Sequence, residues 1–172
     1  MRLYVPFTVS ALKRRWQGME SELVGPGTVV HGVTPALREW YVEGDDEGLE
    51  YAAMTEAAAA AVHLVVAELN AGRPGPTGRV VLAIDLPDRE VQHLPDLGMT
   101  ALGTRVAVHA SDAAALHVDD AAADPALRRL AAAIREETDD APALLEQIVD
   151  RDLLWYAPSE VDRIGAGYAD GM

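Results

Sequence analysis

The chain of 172 residues contains no cysteine, one phenylalanine and one lysine, Lys13. Without cysteine there is no disulfide, no thiolate zinc site, no iron–sulfur cluster and no cysteine nucleophile. The sequence also lacks a G-x-S-x-G elbow, a Walker loop, a G-x-G-x-x-G after a predicted strand and an H-E-x-x-H motif. These absences exclude several large enzyme classes.

The composition is that of a globular domain. Hydrophobic residues make up 49% of the chain and charged residues 24%, close to the averages for folded proteins. The length fits one domain and is too short for two of ordinary size. The apolar residues are mostly small or branched, with 30 Ala, 19 Leu, 18 Val and 4 Ile. Because alanine removes little apolar area from water, we expect stability to come from close helix packing and branched aliphatic side chains.

The charge of the chain is negative and unevenly distributed. The formal net charge is −14, yet residues 1–40 hold five basic and three acidic residues, whereas residues 41–172 hold nine basic and 25 acidic ones. Most of the surface would repel a polyanion, so we expect no nucleic-acid partner. The basic cluster Lys13, Arg14 and Arg15 is the one place that suggests an anion or nucleotide site. The alternative is the solvated face of a short helix.

No segment indicates export or membrane insertion. The N-terminal residues lack the apolar core of roughly seven residues that a signal peptide needs, and no window approaches about 18 uninterrupted apolar residues. We therefore expect a cytoplasmic protein with no membrane partner.

The N-terminal residues predict a strand followed by a short helix. Residues 2–8 alternate in the manner of a half-buried strand. Pro6 cannot donate to a strand ladder, which places this strand at an edge or pairs it on one side only near Pro6. Ser10 is expected to cap a helix that runs to about Gly18.

A predicted strand at residues 28–33 precedes a strong helix start. Thr34 offers a capping hydroxyl, and Pro35 stands at the first helical position, where its missing N–H is not needed. We expect this helix to end near Gly44.

The longest periodic segment covers residues 46–70 and predicts a helix roughly 37 Å long. Its apolar residues recur at three- and four-residue spacing, and the stripe expected to be buried is Tyr51, Met54, Ala58, Val62, Val65 and Leu69. After this helix, residues 79–85 have apolar side chains on both faces, which suits the middle of a sheet.

Two further strands, at residues 105–110 and 115–119, are expected to form a hairpin. An even register would place His109 opposite His117 on one face, with Asp119 beside them and Asp120 at the strand end. Imidazole and carboxylate groups on one face suggest a divalent metal site, and hence a metal-dependent hydrolase or metal-binding protein. The alternative is a polar, solvated strand face.

The C-terminal part of the sequence predicts helices. Asp124 and Pro125 resemble a second capped helix start. The buried stripe expected for this helix is Leu127, Leu130, Ala131 and Ile134. A further helix is predicted by the helical spacing of Leu144, Leu145, Ile148 and Val149. The order of elements favours an α+β sandwich with a mixed or antiparallel sheet of 4–6 strands and helices packed on it. A ferredoxin-like arrangement is the leading expectation. We expect one domain over residues 1–164 and a flexible tail at residues 165–172.

An acidic run precedes and enters the long predicted helix. Its members are Glu43, Asp45, Asp46, Glu47 and Glu50. The run lacks the alternating oxygen ligands and central glycine of a calcium loop. Negative charge in a first helical turn is favoured by the helix dipole, so capping is the preferred interpretation.

Two Trp-Tyr pairs hold four of the nine aromatic residues: Trp40 with Tyr41, and Trp155 with Tyr156. Tryptophan, tyrosine and arginine dominate interface energetics, so these pairs, together with Arg38, form a candidate interaction surface. The alternative is that the rings fill gaps between helices and sheet.

Several segments resemble a family of uncharacterised actinobacterial proteins of about this length: MRLYVPFT, VTPALREWYVEGDDEGLEYAAMTEAA, RVVLAIDLPD, HVDD and LLWYAPSEV. The resemblance covers nearly the whole chain, and 13 Arg against one Lys, together with abundant alanine, fits a GC-rich genome. It implies a single-domain cytoplasmic protein and assigns no residue a role.

The leading hypothesis is a small acidic, non-enzymatic protein that acts by binding another protein or itself, without a cofactor. It predicts that Trp40 and Tyr41 are exposed in the monomer or buried across a dimer contact. The metal site and the anion or nucleotide site are the alternatives.

Overall fold

The computed structural model describes residues 1–41 and 45–165. Its nine strands are β1 (Arg2–Thr8), β2 (Glu22–Val24), β3 (Val29–Gly32), β4 (Arg79–Asp85), β5 (Val91–His93), β6 (Ala101–Thr104), β7 (Val108–His109), β8 (Ala113–Val118) and β9 (Leu154–Tyr156). Its five α-helices are α1 (Val9–Arg15), α2 (Pro35–Trp40), α3 (Asp46–Asn70), α4 (Asp124–Arg135) and α5 (Ala141–Val149).

Seven strands form one antiparallel sheet in the order β5-β6-β3-β1-β4-β8-β9. The chain is therefore a single α+β domain, with one strand more than the upper limit expected. Strands β5 and β9 form the two edges. This strand order does not show the ferredoxin-like arrangement that the sequence suggested.

Strand β1 lies inside the sheet. It pairs with β4 along its whole length, from Arg2 opposite Asp85 to Thr8 opposite Arg79. Its other neighbour, β3, pairs only at Leu3 and Tyr4. Near Pro6 the strand is therefore paired on one side only, as a residue without an N–H requires.

The hairpin predicted between residues 105–110 and 115–119 does not form. Strand β7 pairs with β2 in a separate two-stranded sheet, and β8 pairs with β4 and β9. The reason lies in β4, an apolar strand that needs a neighbour along its length. Strand β8 provides one, placing Val118 opposite Val80 and Leu116 opposite Leu82.

The two faces of the main sheet bury different side chains. One face carries large aliphatic residues and is covered by α1, β2, β7 and Ile164; it includes Leu3, Val5, Phe7, Leu82, Ile84 and Leu116. The other face lies under α3 and is built from small residues, with Ala53, Ala57 and Ala58 against Tyr4, Val81, Ala83 and Ala115. Alanine lets the helix lie close to the strands.

The boundaries of α3 agree with the predicted helix at residues 46–70, and the predicted stripe is confirmed in part, because Ala58, Val62 and Val65 are buried. The buried positions are Leu49, Ala53, Ala57, Ala58, Ala61, Val62, Val65 and Val66. Tyr51 is 63% exposed. Small residues face the sheet, and the larger ring is left outside.

Helix α3 is long and apolar enough to cross a membrane by length and composition alone. These measures are weak evidence, because core helices meet the same criteria. Here its valines pack against α4 and α5 through Leu127, Leu130 and Ile148.

Several smaller expectations were wrong. Thr8, rather than Ser10, caps α1 by accepting from the Ala11 N–H at 3.0 Å. Asp124 begins α4 without capping it, because its carboxylate accepts from the Arg128 guanidinium at 2.8 Å. Ile134 is 39% exposed. Strands β2 and β6 are short and were not predicted.

Candidate functional site

The first Trp-Tyr pair lies at the C-terminal end of α2. Thr34 caps this helix by accepting from the Leu37 N–H at 3.2 Å, and Leu37 anchors it at 2% exposure. The helix ends at Trp40, earlier than the expected Gly44, and Gly44 lies outside the described residues. Trp40 is 70% exposed and Tyr41 is 48% exposed. Neither ring fills the core, so the exposure that the interaction hypothesis predicted is observed.

Arg38 connects α2 to the start of α3. Its guanidinium donates to the Asp46 carboxylate at 2.8 Å, and both side chains are mostly exposed. An exposed ion pair of this kind contributes about 0–1 kcal/mol. We call Arg38, Trp40 and Tyr41 the aromatic segment.

Exposed carboxylates flank the aromatic segment. They belong to Glu39, Asp45, Asp46 and Glu47. Asp45 accepts from the Gly48 N–H at 2.8 Å and caps α3. This contact supports capping over calcium binding for the acidic run, of which Glu43 lies outside the described residues.

The second Trp-Tyr pair lies on the edge strand β9 and is divided between surface and core. Trp155 is 61% exposed, whereas Tyr156 is half-buried against the aliphatic core. The alternation of a strand sends successive side chains to opposite faces, which separates the two rings. Tyr156 therefore fits the packing interpretation, and Trp155 stays available at the surface.

The structure does not bring the proposed metal ligands together. His109 lies on β7, opposite Glu22 in the small sheet, whereas His117 lies on β8 of the main sheet between Val81 and Trp155. Within residues 1–41 and 45–165, no three His, Asp or Glu side chains are placed to hold a metal ion. The metal-site expectation fails because the hairpin on which it depended does not form.

Asp119 and Asp120 instead form ion pairs with arginines. The Asp119 carboxylate accepts from the Arg79 backbone N–H, from Nε and from Nη2 at 2.8 to 3.0 Å, and both side chains are fully buried. Asp120 pairs with Arg151 at 2.8 Å near the surface. The Arg79 Nη2 also donates to the Arg151 carbonyl at 3.2 Å. These pairs tie β4 to the ends of β8 and α5.

Two residues of the predicted basic cluster line a cavity. Arg14 and Arg15 border a cavity of about 370 Å³ between α1, β1 and the C-terminal part of α3. Lys13 does not line it and lies against Gly165 instead. Arg73 completes the basic lining. Sequence reasoning missed Arg73, because it stands alone in the loop after α3, about sixty residues from the basic cluster.

Burial lowers the pKa of two histidines. His31 is buried on β3, where its Nδ1 lies 2.8 Å from the Thr100 hydroxyl, and desolvation lowers its pKa. The pKa of His117 is lowered by desolvation and by the charge of Arg2. Burial and the nearby Glu50 carboxylate raise the pKa of Tyr4 to about 12. His31, His117 and Tyr4 lie on strands of the main sheet, and these shifts favour their neutral forms.

The fold and surface define a small α+β protein with an acidic, aromatic patch and a basic cavity. The sequence model of a family of unknown function, DUF6912, matches residues 1–164, and the chain belongs to that family. Searches of curated proteins and of solved structures find no match.

Proposed function

We propose that this protein is a binding module that engages a partner protein through the aromatic segment. The observation that carries the proposal is the exposure of Trp40 and Tyr41 beside Arg38. Tryptophan, tyrosine and arginine are the residues on which interface affinity most often depends. A tryptophan that is exposed in the free protein buries a large apolar area when a partner covers it, and this burial favours binding.

The charge around the aromatic segment favours a basic partner. Exposed carboxylates of Glu39, Asp45 and Glu47 lie close to it in the chain, and the protein as a whole carries −14. A partner with an apolar centre and Lys or Arg at its rim is complementary to this surface. Self-association is disfavoured, because a two-fold contact would bring two acidic rims together.

A binding role is preferred to a catalytic one on geometric grounds. A metal-dependent hydrolase needs converging ligands, and His109 and His117 lie in different sheets. The carboxylates of Asp119 and Asp120 already pair with arginines.

The proposal is tested by selecting peptides from a random displayed library on the purified protein. We expect the selected peptides to combine apolar residues with Lys or Arg. Their affinity for the Trp40→Ala variant should fall at least tenfold, as for an interface anchor that contributes about 1.4 kcal/mol or more. Trp155→Ala is the matched control, because it removes an exposed tryptophan elsewhere on the surface. Equal loss in both variants, or a preference for acidic peptides, would contradict the proposal.

Sedimentation velocity tests the self-association alternative. We expect a monomer at low salt and no change on substituting Trp40. A dimer that dissociates in Trp40→Ala would replace the partner-protein proposal with self-association through the same surface. An actinobacterial source and a cytoplasmic location stay predictions from the sequence.

A further inference from the structure

The cavity at the C-terminal part of α3 differs in charge from the rest of this acidic protein. Three arginines, Arg14, Arg15 and Arg73, line it together with one acidic residue, Glu68. The local charge is thus two positive, on a chain whose net charge is −14. The volume of about 370 Å³ lies within the range of small-molecule sites, roughly 300–1,000 Å³.

Two of the arginines are held in place by neighbouring groups. Arg14 donates to the Ser10 hydroxyl and, at 3.2 Å, to the Glu68 carboxylate. Arg15 donates to the Leu23 carbonyl at 2.5 Å, and its guanidinium lies 6.0 Å from the centre of the Phe7 ring. Each guanidinium has five N–H donors, so both keep donors for a ligand.

Arg73 is the least occupied of the three. It is exposed, and its guanidinium makes no hydrogen bond or ion pair with any residue in the described ranges 1–41 and 45–165, whereas its backbone N–H donates to the Glu68 carbonyl at 3.1 Å. The Arg73 guanidinium therefore breaks no hydrogen bond to a described residue when it binds a ligand. Glu68, by contrast, has a side chain that is only 17% exposed and already engages Arg14.

The remaining lining is largely apolar. It includes Pro6, Phe7, Val24, Leu64, Ala67 and Ala71. Leu64 is 42% exposed although it lies on a core helix. Basic residues near helix C-termini are ordinarily explained by the helix dipole, which accounts for Arg14 and Arg15 in the last turn of α1. The dipole does not account for an apolar cavity beside them or for a third arginine from another loop.

We propose that this cavity binds a small phosphate monoester with an apolar or aromatic body, of about mononucleotide size. A phosphate monoester carries about −1.5 to −2 charges at pH 7, which matches the local charge of two positive. Arginine recognises phosphate through paired N–H donors. The phosphate group is placed at the three guanidinium groups, and the body of the ligand lies against Phe7, Leu64 and Ala67.

The test measures binding of AMP and phenyl phosphate by calorimetry to the full chain at low salt, with adenosine, phenol and inorganic phosphate as comparison probes. We expect at least one monoester to bind about tenfold more tightly than inorganic phosphate and than its own body without phosphate. Arg73→Gln should weaken the monoester about tenfold, as expected for the loss of a charged hydrogen bond. Ala67→Phe should weaken it by filling the cavity.

Arg89→Gln is the matched control, because Arg89 is an exposed arginine that does not line the cavity. Since the Arg73 guanidinium pairs with no described residue and the backbone hydrogen bond to Glu68 is kept, the Arg73→Gln variant should unfold at the wild-type denaturant concentration, which separates lost binding from lost folding. Binding that is equal in Arg73→Gln, Ala67→Phe and Arg89→Gln would overturn the proposal. So would the absence of binding by both monoesters at millimolar concentration, or equal affinity for inorganic phosphate.

Discussion

The two ends of α3 lie in surroundings of opposite charge. Asp45, Asp46 and Glu47 stand at its first turn, beside the aromatic segment. At its last turns, Arg14, Arg15 and Arg73 surround a cavity with Leu64 and Ala67. The acidic first turn suits the helix dipole, whereas the last turn of α3 holds no basic residue and the arginines near it come from α1 and from the loop after the helix.

The difference shows how one long helix can separate two surfaces. The alanines of α3 hold its middle close to the sheet, and the functional candidates lie at its ends. The acidic end suits a basic protein surface, and the basic end suits a small anion. The charge gathered around each end thus determines which ligands suit it.

The largest expected effect is the loss of stability on replacing the buried Arg79. This arginine has a structural role, in contrast to the proposed ligand-binding role of Arg73. Arg79 forms a buried ion pair with Asp119, whereas the Arg73 guanidinium is exposed and forms no ion pair with a described residue. Arg79→Leu should lower the free energy of unfolding by about 3–5 kcal/mol, because Asp119 would be left buried without its partner. Denaturant unfolding measures this loss.

The double variant Arg79→Leu with Asp119→Leu is the control. It should regain most of the lost stability, because no uncompensated charge is then buried. If Arg79→Leu alone unfolds at the wild-type denaturant concentration, the pair is not structural.

The second effect concerns the close contact between the middle of α3 and the sheet. Ala57 is fully buried against the strands. Ala57→Leu should destabilise the protein by about 1–3 kcal/mol through overpacking. Ala59→Leu, at a half-exposed position on the same helix, should leave the unfolding midpoint nearly unchanged. Equal effects would show that the alanine face tolerates larger residues.

The third effect concerns the acidic end. Asp45→Ala removes the cap on the Gly48 N–H and should cost about 0.5–2 kcal/mol. Asp45→Asn should restore much of this stability while removing one negative charge. If Asp45→Asn is as unstable as Asp45→Ala, the negative charge of Asp45, and not its capping hydrogen bond, stabilises this end of the helix.

The smallest effect is the dependence of stability on pH. The pKa values of His31 and His117 are lowered in the folded state, so below about pH 6.5 the unfolded chain binds protons first. Stability should be constant above about pH 6.5 and should fall as the pH drops toward the folded pKa values. His31→Gln should flatten this fall below about pH 6.5. An unchanged slope would show that His31 titrates as freely as in the unfolded chain.

Local signals predicted much of the fold. The period of residues 46–70 predicts α3, and Thr34 with Pro35 predicts the start of α2, because both depend on neighbouring residues only. The pairing of β7 with β2 could not be predicted, since it joins residues distant in the chain through a two-residue strand. The stripe of α3 was misjudged because alanine, rather than the larger Tyr51, faces the sheet.

The candidate sites were predictable to different degrees. The sequence singled out Trp40 and Tyr41 as a candidate surface, but it left open whether their rings are exposed or buried. The basic cavity was predictable only in part: Arg14 and Arg15 stand together in the sequence, whereas Arg73 joins them through the packing of α3 on the sheet. The Arg79–Asp119 pair was missed because its partners lie on separate strands.

The most direct test of the account is a map of amide shifts in ¹⁵N-labelled protein. One titration uses AMP, and the other uses a short amphipathic peptide of leucine and lysine, with a leucine and glutamate peptide as its control. We expect AMP to shift amides of residues 13–15 and 64–73, and the basic peptide to shift those of residues 38–41 and 46–51. Shifts from both probes at the same end of α3, or from the basic and acidic peptides alike, would contradict it.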